Sequence, residues 1–192
     1  MFGLTAREIA IFKKLSTPQK IQDFVTALPA NFEKSGDTHY SPRRVLREKT
    51  AHCIEGAMLA AAVLWYHGKE PLLMDFRTKA HDEDHVIALF KQNGYWGAIS
   101  KTNHAVLRYR DPIYKTLREL ALTYFHEYFM FKGGEKTLLS YSHPLNLKRF
   151  GTQWITAEEH LFVMDDALND ARHFPLVPPA NRRHIRPADP TE

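Results

Sequence analysis

The chemistry open to this chain turns on a residue type that occurs once. Cys53 is the single cysteine among 192 residues, so no intrachain disulfide can form. Its thiol is either a nucleophile or a small buried hydrophobe. It opens the run "CIEGAMLAAAVLWY", which reads as a largely buried helix. The first turn of a helix lowers a thiol's pKa through the helix dipole and the unpaired backbone amides. The same amides, Cys53's own N–H included, suit an oxyanion hole for a tetrahedral intermediate. Against this stands inert packing, because free cysteine is among the most buried residue types. A nucleophilic thiol needs a base. The candidate is His85, thirty-two positions downstream at the head of "HVIALF".

A base must be positioned, and the sequence around His85 provides a hairpin. In "HVIALFKQNGYWGAIS" the Asn93-Gly94 pair is a strong two-residue turn signal, predicting an antiparallel hairpin over residues 85–102. That turn makes Gln92 face Tyr95 and, counting back, sets His85 opposite Thr102. Ser100 then lies diagonally across on the face that His85 uses. Diagonal neighbours stand about 7–8 Å apart, so the serine hydroxyl needs a water or a local twist to reach the imidazole. Asn103 points to the other face unless a bulge reverses it. Ser100, Thr102 and Asn103 are the candidates to orient His85.

Taken in order, "AHCIEGAMLAAAVL", "DHVIALF" and "WGAIS" resemble the transglutaminase-like group of the papain-like cysteine hydrolases and acyltransferases, over residues 41–102. In that family a cysteine starts a helix, a histidine begins a strand, and an aspartate ends the next strand. The resemblance implies an α+β fold with a transglutaminase-like, papain-like core: a central helix bearing the cysteine packed on a small antiparallel sheet, with extra helices at both ends. It implies Cys53 as nucleophile and His85 as general acid–base group, with Ser100 at the aspartate position. Ala51-His52 stands where the family usually has a glycine before the cysteine. The implied activity is hydrolysis or acyl transfer on a peptide, protein or small amide, with no cofactor and no metal.

The flanking elements are legible from periodicity and caps. Residues 5–15 space Ile9, Phe12 and Leu15 helically, and "STPQKIQDFVTAL" offers Ser16 or Thr17 as N-cap before Pro18. "PLLMDFRT" reads as a strand. "DPIYKTLRELALTYFHEYF" restores helical spacing, with Asp111 as cap and Pro112 in the first turn. Its aromatic residues read as core. Thr156 with Glu159 is a capping box for another helix. The expected organisation is a single domain over 1–174, with a core at about 41–110 and a helical part at 111–174, followed by a Pro-rich basic tail over 175–192, extended on the surface or disordered.

Composition narrows the rest. With 44% hydrophobic and 25% charged residues the chain is ordinary for a globular domain. No apolar stretch approaches the eighteen residues of a membrane span, and Arg7 and Glu8 interrupt what a secretory signal requires, so a cytoplasmic protein with no membrane partner is expected. The net charge of +4 lies largely in "RRVLREK" and "NRRHIRP", which reads as solvated surface rather than a nucleic-acid footprint. Two other function classes compete: a catalytically silent member of the same fold that binds a peptide or protein, and a metal-binding protein using His81 and His85 of "HDEDH". Glu55 is expected to face solvent and favour the helix N-terminus. Asp82, Glu83 and Asp84 are either an acidic loop or neighbours that favour a charged His85.

Overall fold

The fold is built around one helix that no solvent-facing stripe interrupts. Cys53–Tyr66 forms α4, and every residue from Ile54 to Leu64 is buried. A helix apolar on all sides must be covered on all sides. The cover comes from α1 (Ala6–Lys14), α2 (Pro18–Ala27) and α3 (Pro42–Glu48) on one flank and from the sheet on the other. Each covering helix starts on a side-chain cap from Thr5, Thr17 or Ser41, the position where a short hydroxyl relieves an orphan N–H. The computed structural model describes residues 2–33 and 36–189.

The sheet is antiparallel. Its main path runs β4 (Arg110–Tyr114), β3 (Tyr95–Ser100), β2 (His85–Gln92), β1 (Leu72–Arg77), β5 (Ser140–Ser142) and β7 (His173–Pro175), with the two-residue β6 (Leu145–Asn146) also pairing β1. Residues 85–90 of β2 are buried without alternation because both faces of the sheet are covered. Val86, Ala88 and Phe90 pack into the cluster that holds α4, while Ile87 and Leu89 pack with Leu120, Ala121 and Tyr124 of α5 (Leu117–Phe125). The protein is thus α+β, and the hairpin has the expected register, with Gln92 opposite Tyr95 and Ile87 opposite Ser100. Among the described residues no helix is long and apolar enough to cross a membrane.

The C-terminal half departs from expectation. The helix expected over 111–129 is instead a strand followed by a shorter helix, because Asp111 and Pro112 lie in β4, paired through Tyr114 with Trp96 and through Arg110 with Ala98. β4 is an edge strand, where a missing proline N–H costs no ladder bond. The operative start signal is the capping box of Thr116 and Glu119. Thr156 caps no helix; it closes a single turn over Gln153–Ile155, and α6 (Phe162–Asn169) starts later. The part over 111–174 is therefore mixed rather than helical, because strands of two and three residues leave no periodicity to read. In the tail Leu176 and Val177 are buried, Pro179–His184 is a 3-10 turn, and the Ala188 N–H donates to Gly134 O at 2.8 Å; residues 190–192 lie outside those described. His173 ties β7 to β1 through Nε2 and Asp75 Oδ2, 3.0 Å apart.

The approach of α4 to the end of β3 requires a glycine. A Cβ on Gly56 would stand 2.4 Å from Lys101 Cβ and 3.0 Å from its Cγ, so neither atom is a flexible tip that can swing aside. Overpacking of this kind costs about 1–3 kcal/mol. Gly56→Ala is expected to lower the melting temperature and to loosen residues 100–101, readable by calorimetry and by amide exchange at Ser100 and Lys101.

Candidate active site

Three elements meet at a cleft of about 430 Å³: the N-terminus of α4, the ends of the β2–β3 hairpin, and the chain leaving α5 at Tyr128 and Phe129. Cys53 is the first residue of α4 and partly exposed. His85 begins β2 and is buried. The structure brings all three expected site residues together. The thiol and the imidazole of His85 face the same cleft and His85 lowers the thiol's pKa, while His85 Nε2 lies 2.7 Å from Ser100 Oγ. The diagonal offset is closed without an intermediary, since the side chains lean toward each other from the strand ends. Thr102 and Asn103 line the cleft beyond the end of β3; the Thr102 hydroxyl accepts instead from the His104 N–H at 3.1 Å.

Ser100 is held by a residue far away in sequence. Gln22, buried on α2, accepts from the Ser100 N–H and donates to the Ser100 carbonyl, each at 2.9 Å. The next residue, Lys101, is buried as well, and its Nζ donates to Leu28 O at 2.5 Å just past the end of α2. Burial, and then the charge of Arg108, hold that amine below its ordinary value. Both ties fix the strand end that presents the hydroxyl to His85.

The other side of the thiol carries a group that the sequence did not mark as functional. His52 Nδ1 is 4.0 Å from Cys53 Sγ, and His52 Nε2 lies 2.7 Å from Thr38 O. Beneath it Glu55 is fully buried rather than facing solvent. Its carboxylate accepts from the Thr38 hydroxyl (2.8 Å), the Tyr40 N–H (2.9 Å), the His52 N–H (3.0 Å) and Asn31 Nδ2 (3.1 Å). The helix-start part of the expectation for Glu55 stands; the solvent-facing part is corrected, because Asn31, Thr38 and Tyr40 fold over the helix end.

These surroundings set the thiol. Burial opposes ionisation of Cys53, but hydrogen bonds from His52 and His85 and the charges of both imidazoles outweigh it and bring the thiol down to about 5. For His52 burial again opposes the charged form, and the hydrogen bond and charge of Cys53, then the charge of Glu55 and the Thr38 carbonyl, raise it to about 9. Between those values the pair is thiolate and imidazolium.

The acidic run before His85 serves mainly to hold its loop. Asp82 accepts from the Thr137 hydroxyl, Asp84 accepts from the Thr78 N–H at 2.7 Å, and Tyr128 OH donates to Glu83 O at 2.7 Å. Of the aromatic residues expected in the core, Tyr124 is fully buried, Phe129 lines the cleft and Phe131 is exposed. His81 pairs with Glu135 at 2.9 Å on the surface, apart from His85 and its serine. Among the described residues no three of His, Cys, Asp and Glu are grouped so as to hold a metal ion. Compared with known proteins, the chain matches no family model and no curated protein.

Two outcomes follow for the isolated protein. A thiol near its free value of about 8.5 loses roughly tenfold in alkylation rate for each pH unit below it. Cys53 is instead expected to react with iodoacetamide at a constant rate from pH 8 down to about 6 and to slow only as pH falls through about 5. Gln22→Ala leaves both backbone groups of Ser100 without their partner. Unpaired buried groups cost about 1–3 kcal/mol each, so a lower melting temperature and a displaced His85 imidazole resonance in NMR are expected.

Proposed function

We propose that this protein carries out thiol-dependent acyl chemistry on an amide or related substrate, with Cys53 as nucleophile and His85 as its acid–base partner. The observation that carries the reading is the meeting of Cys53 and His85 at one cleft, with the His85 imidazole bonded behind it to the buried Ser100 hydroxyl. The order of these residues along the chain, and the cysteine helix set against an antiparallel hairpin, support a transglutaminase-like, papain-like core.

In the proposed reaction His85 holds the thiol proton and the Cys53 thiolate attacks the acyl carbon. The oxyanion forms at the first turn of α4, where the Cys53 N–H is the nearest donor on the chain. As the C–N bond breaks, the proton on His85 passes to the leaving amine. Water then gives a proton to His85 and releases the acid, or an amine takes the acyl group. Ser100 supplies a neutral hydrogen bond where a carboxylate would supply charge. The thiolate–imidazolium pair needs less help from such a charge than a neutral serine would. The cleft suits a peptide, a protein segment or a small amide, and a lone reactive thiol fits a reducing compartment such as the cytoplasm.

The test is a single-turnover reaction with p-nitrophenyl acetate. A burst of one nitrophenolate per chain and an acetyl group on Cys53 by mass spectrometry are expected, both lost in Cys53→Ser. His85→Ala is expected to slow acylation by about 10²–10⁴-fold. Ser100→Ala removes a neutral hydrogen bond of about 1 kcal/mol and should slow it about fivefold. An unacylated Cys53, or acylation as fast without His85, overturns the proposal and favours a silent protein that only binds.

A further inference from the structure

Two imidazoles flank Cys53, and the structure gives them different surroundings. His85 is buried at the head of a strand, and its Nε2 bonds a neutral hydroxyl that both donates and accepts. His52 sits at the N-cap of α4 with Nε2 on the Thr38 carbonyl, which can only accept. Its Nδ1 faces the sulfur. With Cys53 as the thiolate both ring nitrogens point at acceptors, which is matched by the doubly protonated ring. The acidic groups around it agree. His52 Nε2 lies 3.5 Å from Glu55 Oε1 and 3.5 Å from Glu33 Oε1, and Asp165 on α6 interacts electrostatically with it. The groups that oppose the charge are His39, whose ring meets that of His52 edge-on at 5.6 Å, and His85 across the sulfur. Three carboxylates and a thiolate outweigh two imidazoles.

We propose that His52 is a second catalytic residue of this site: a fixed imidazolium, held by Glu55, that keeps Cys53 ionised and leaves His85 free to move protons. The inference rests on the thiolate reading of the site. It accounts for a hydroxyl rather than a carboxylate on His85 Nε2, since the charge that stabilises the active ion pair enters from the helix side through Glu55 and His52. In the turnover described above His52 gains and loses no proton. It favours the thiolate before attack and again when the thioester breaks and the sulfur leaves.

Magnitudes decide which measurement can see this. A thiol with a pKa near 8.5 is about 3% ionised at pH 7, whereas one near 5 is almost fully ionised, a gain of about thirtyfold. Intrinsic thiolate nucleophilicity falls with pKa at a Brønsted slope of about 0.4–0.5, a loss of about forty-fold over the same span. The two nearly cancel, so a rate at neutral pH is blind to His52 and the titration itself must be followed. The ultraviolet absorbance of the Cys53 thiolate, measured against pH, is expected to show a midpoint near 5 in the wild type. In His52→Gln that midpoint should rise by at least about one pH unit, and in the double variant with His85→Gln it should reach the free value. A second measurement needs no substitution at His52: its imidazole is followed by NMR in the wild-type protein, where alkylating Cys53 removes the thiolate and should lower the His52 midpoint.

A His52→Gln midpoint equal to that of the wild type, or a His52 titration indifferent to alkylation, overturns the proposal. If only His85→Gln raises the midpoint, the role of His52 fails while the Cys53–His85 pair survives. If the wild-type thiol itself titrates near 8.5, the thiolate reading of the site fails with it.

Discussion

The constraint on which the site depends is a buried negative charge that, among the described residues, no lysine or arginine meets. Glu55 lies wholly inside the protein at the start of α4. Desolvating a carboxylate costs several kcal/mol unless it is paired or fully hydrogen-bonded. Here the charge is met by two backbone N–H groups, a hydroxyl, an amide and a nearby imidazole. Hydrogen bonds to a charged group contribute about 1.5–3 kcal/mol each, so the four together are of the size needed. Three come from Asn31, Thr38 and Tyr40, which is why these residues close over the end of α4 instead of leaving it open. One wall of the cleft, the placement of His52 and the cap of the longest helix follow from that single requirement.

The opposite wall is fixed by packing rather than by charge. Gly56 lets α4 lie against Lys101, and Gln22 and Leu28 occupy the polar groups at the end of β3 that this approach buries. Close contact, paired backbone and a pinned amine thus converge on two residues. The serine hydroxyl gains a defined direction because the peptide groups on either side of it cannot rotate. The Cys53 sulfur therefore stands between a helix end set by hydrogen bonds to Glu55 and a strand end set by Gln22.

Elements whose pattern extends over a full turn or a full hairpin were readable in the sequence. The apolar run after Cys53, the Asn93-Gly94 turn, the spacing of α1 and the cap of α2 carry their signals within a few residues, and the structure has them where the pattern puts them. The sequence also allowed the juxtaposition of His85 with Ser100, because register propagates from the turn. What stayed hidden depends on residues brought from afar. Gln22 looks like any polar residue on an amphipathic helix, and Glu55 like any first-turn acid, until the chain that buries each is in place. His52 registered only as the replacement for a glycine; its clue was a histidine next to a lone cysteine with an acid three positions later. Pro112 misled because a proline after an aspartate signals a helix start and an edge strand equally well, and the short strands β5, β6 and β7 offer no period at all.

The clamp on Ser100 spans seventy-eight residues and the tie on Lys101 seventy-three. Contacts so distant along the chain form late, once the entropy of closing the intervening loop has been offset by other contacts. Until α2 docks, the hairpin exists with its serine undirected, and until Thr38 settles, the His52 ring lacks the carbonyl that holds it. A partly folded or newly made chain therefore carries an ordinary thiol, mostly protonated at neutral pH. The low titration point of Cys53 belongs to the closed architecture alone, so the ionisation of this one sulfur is itself a report that folding is complete.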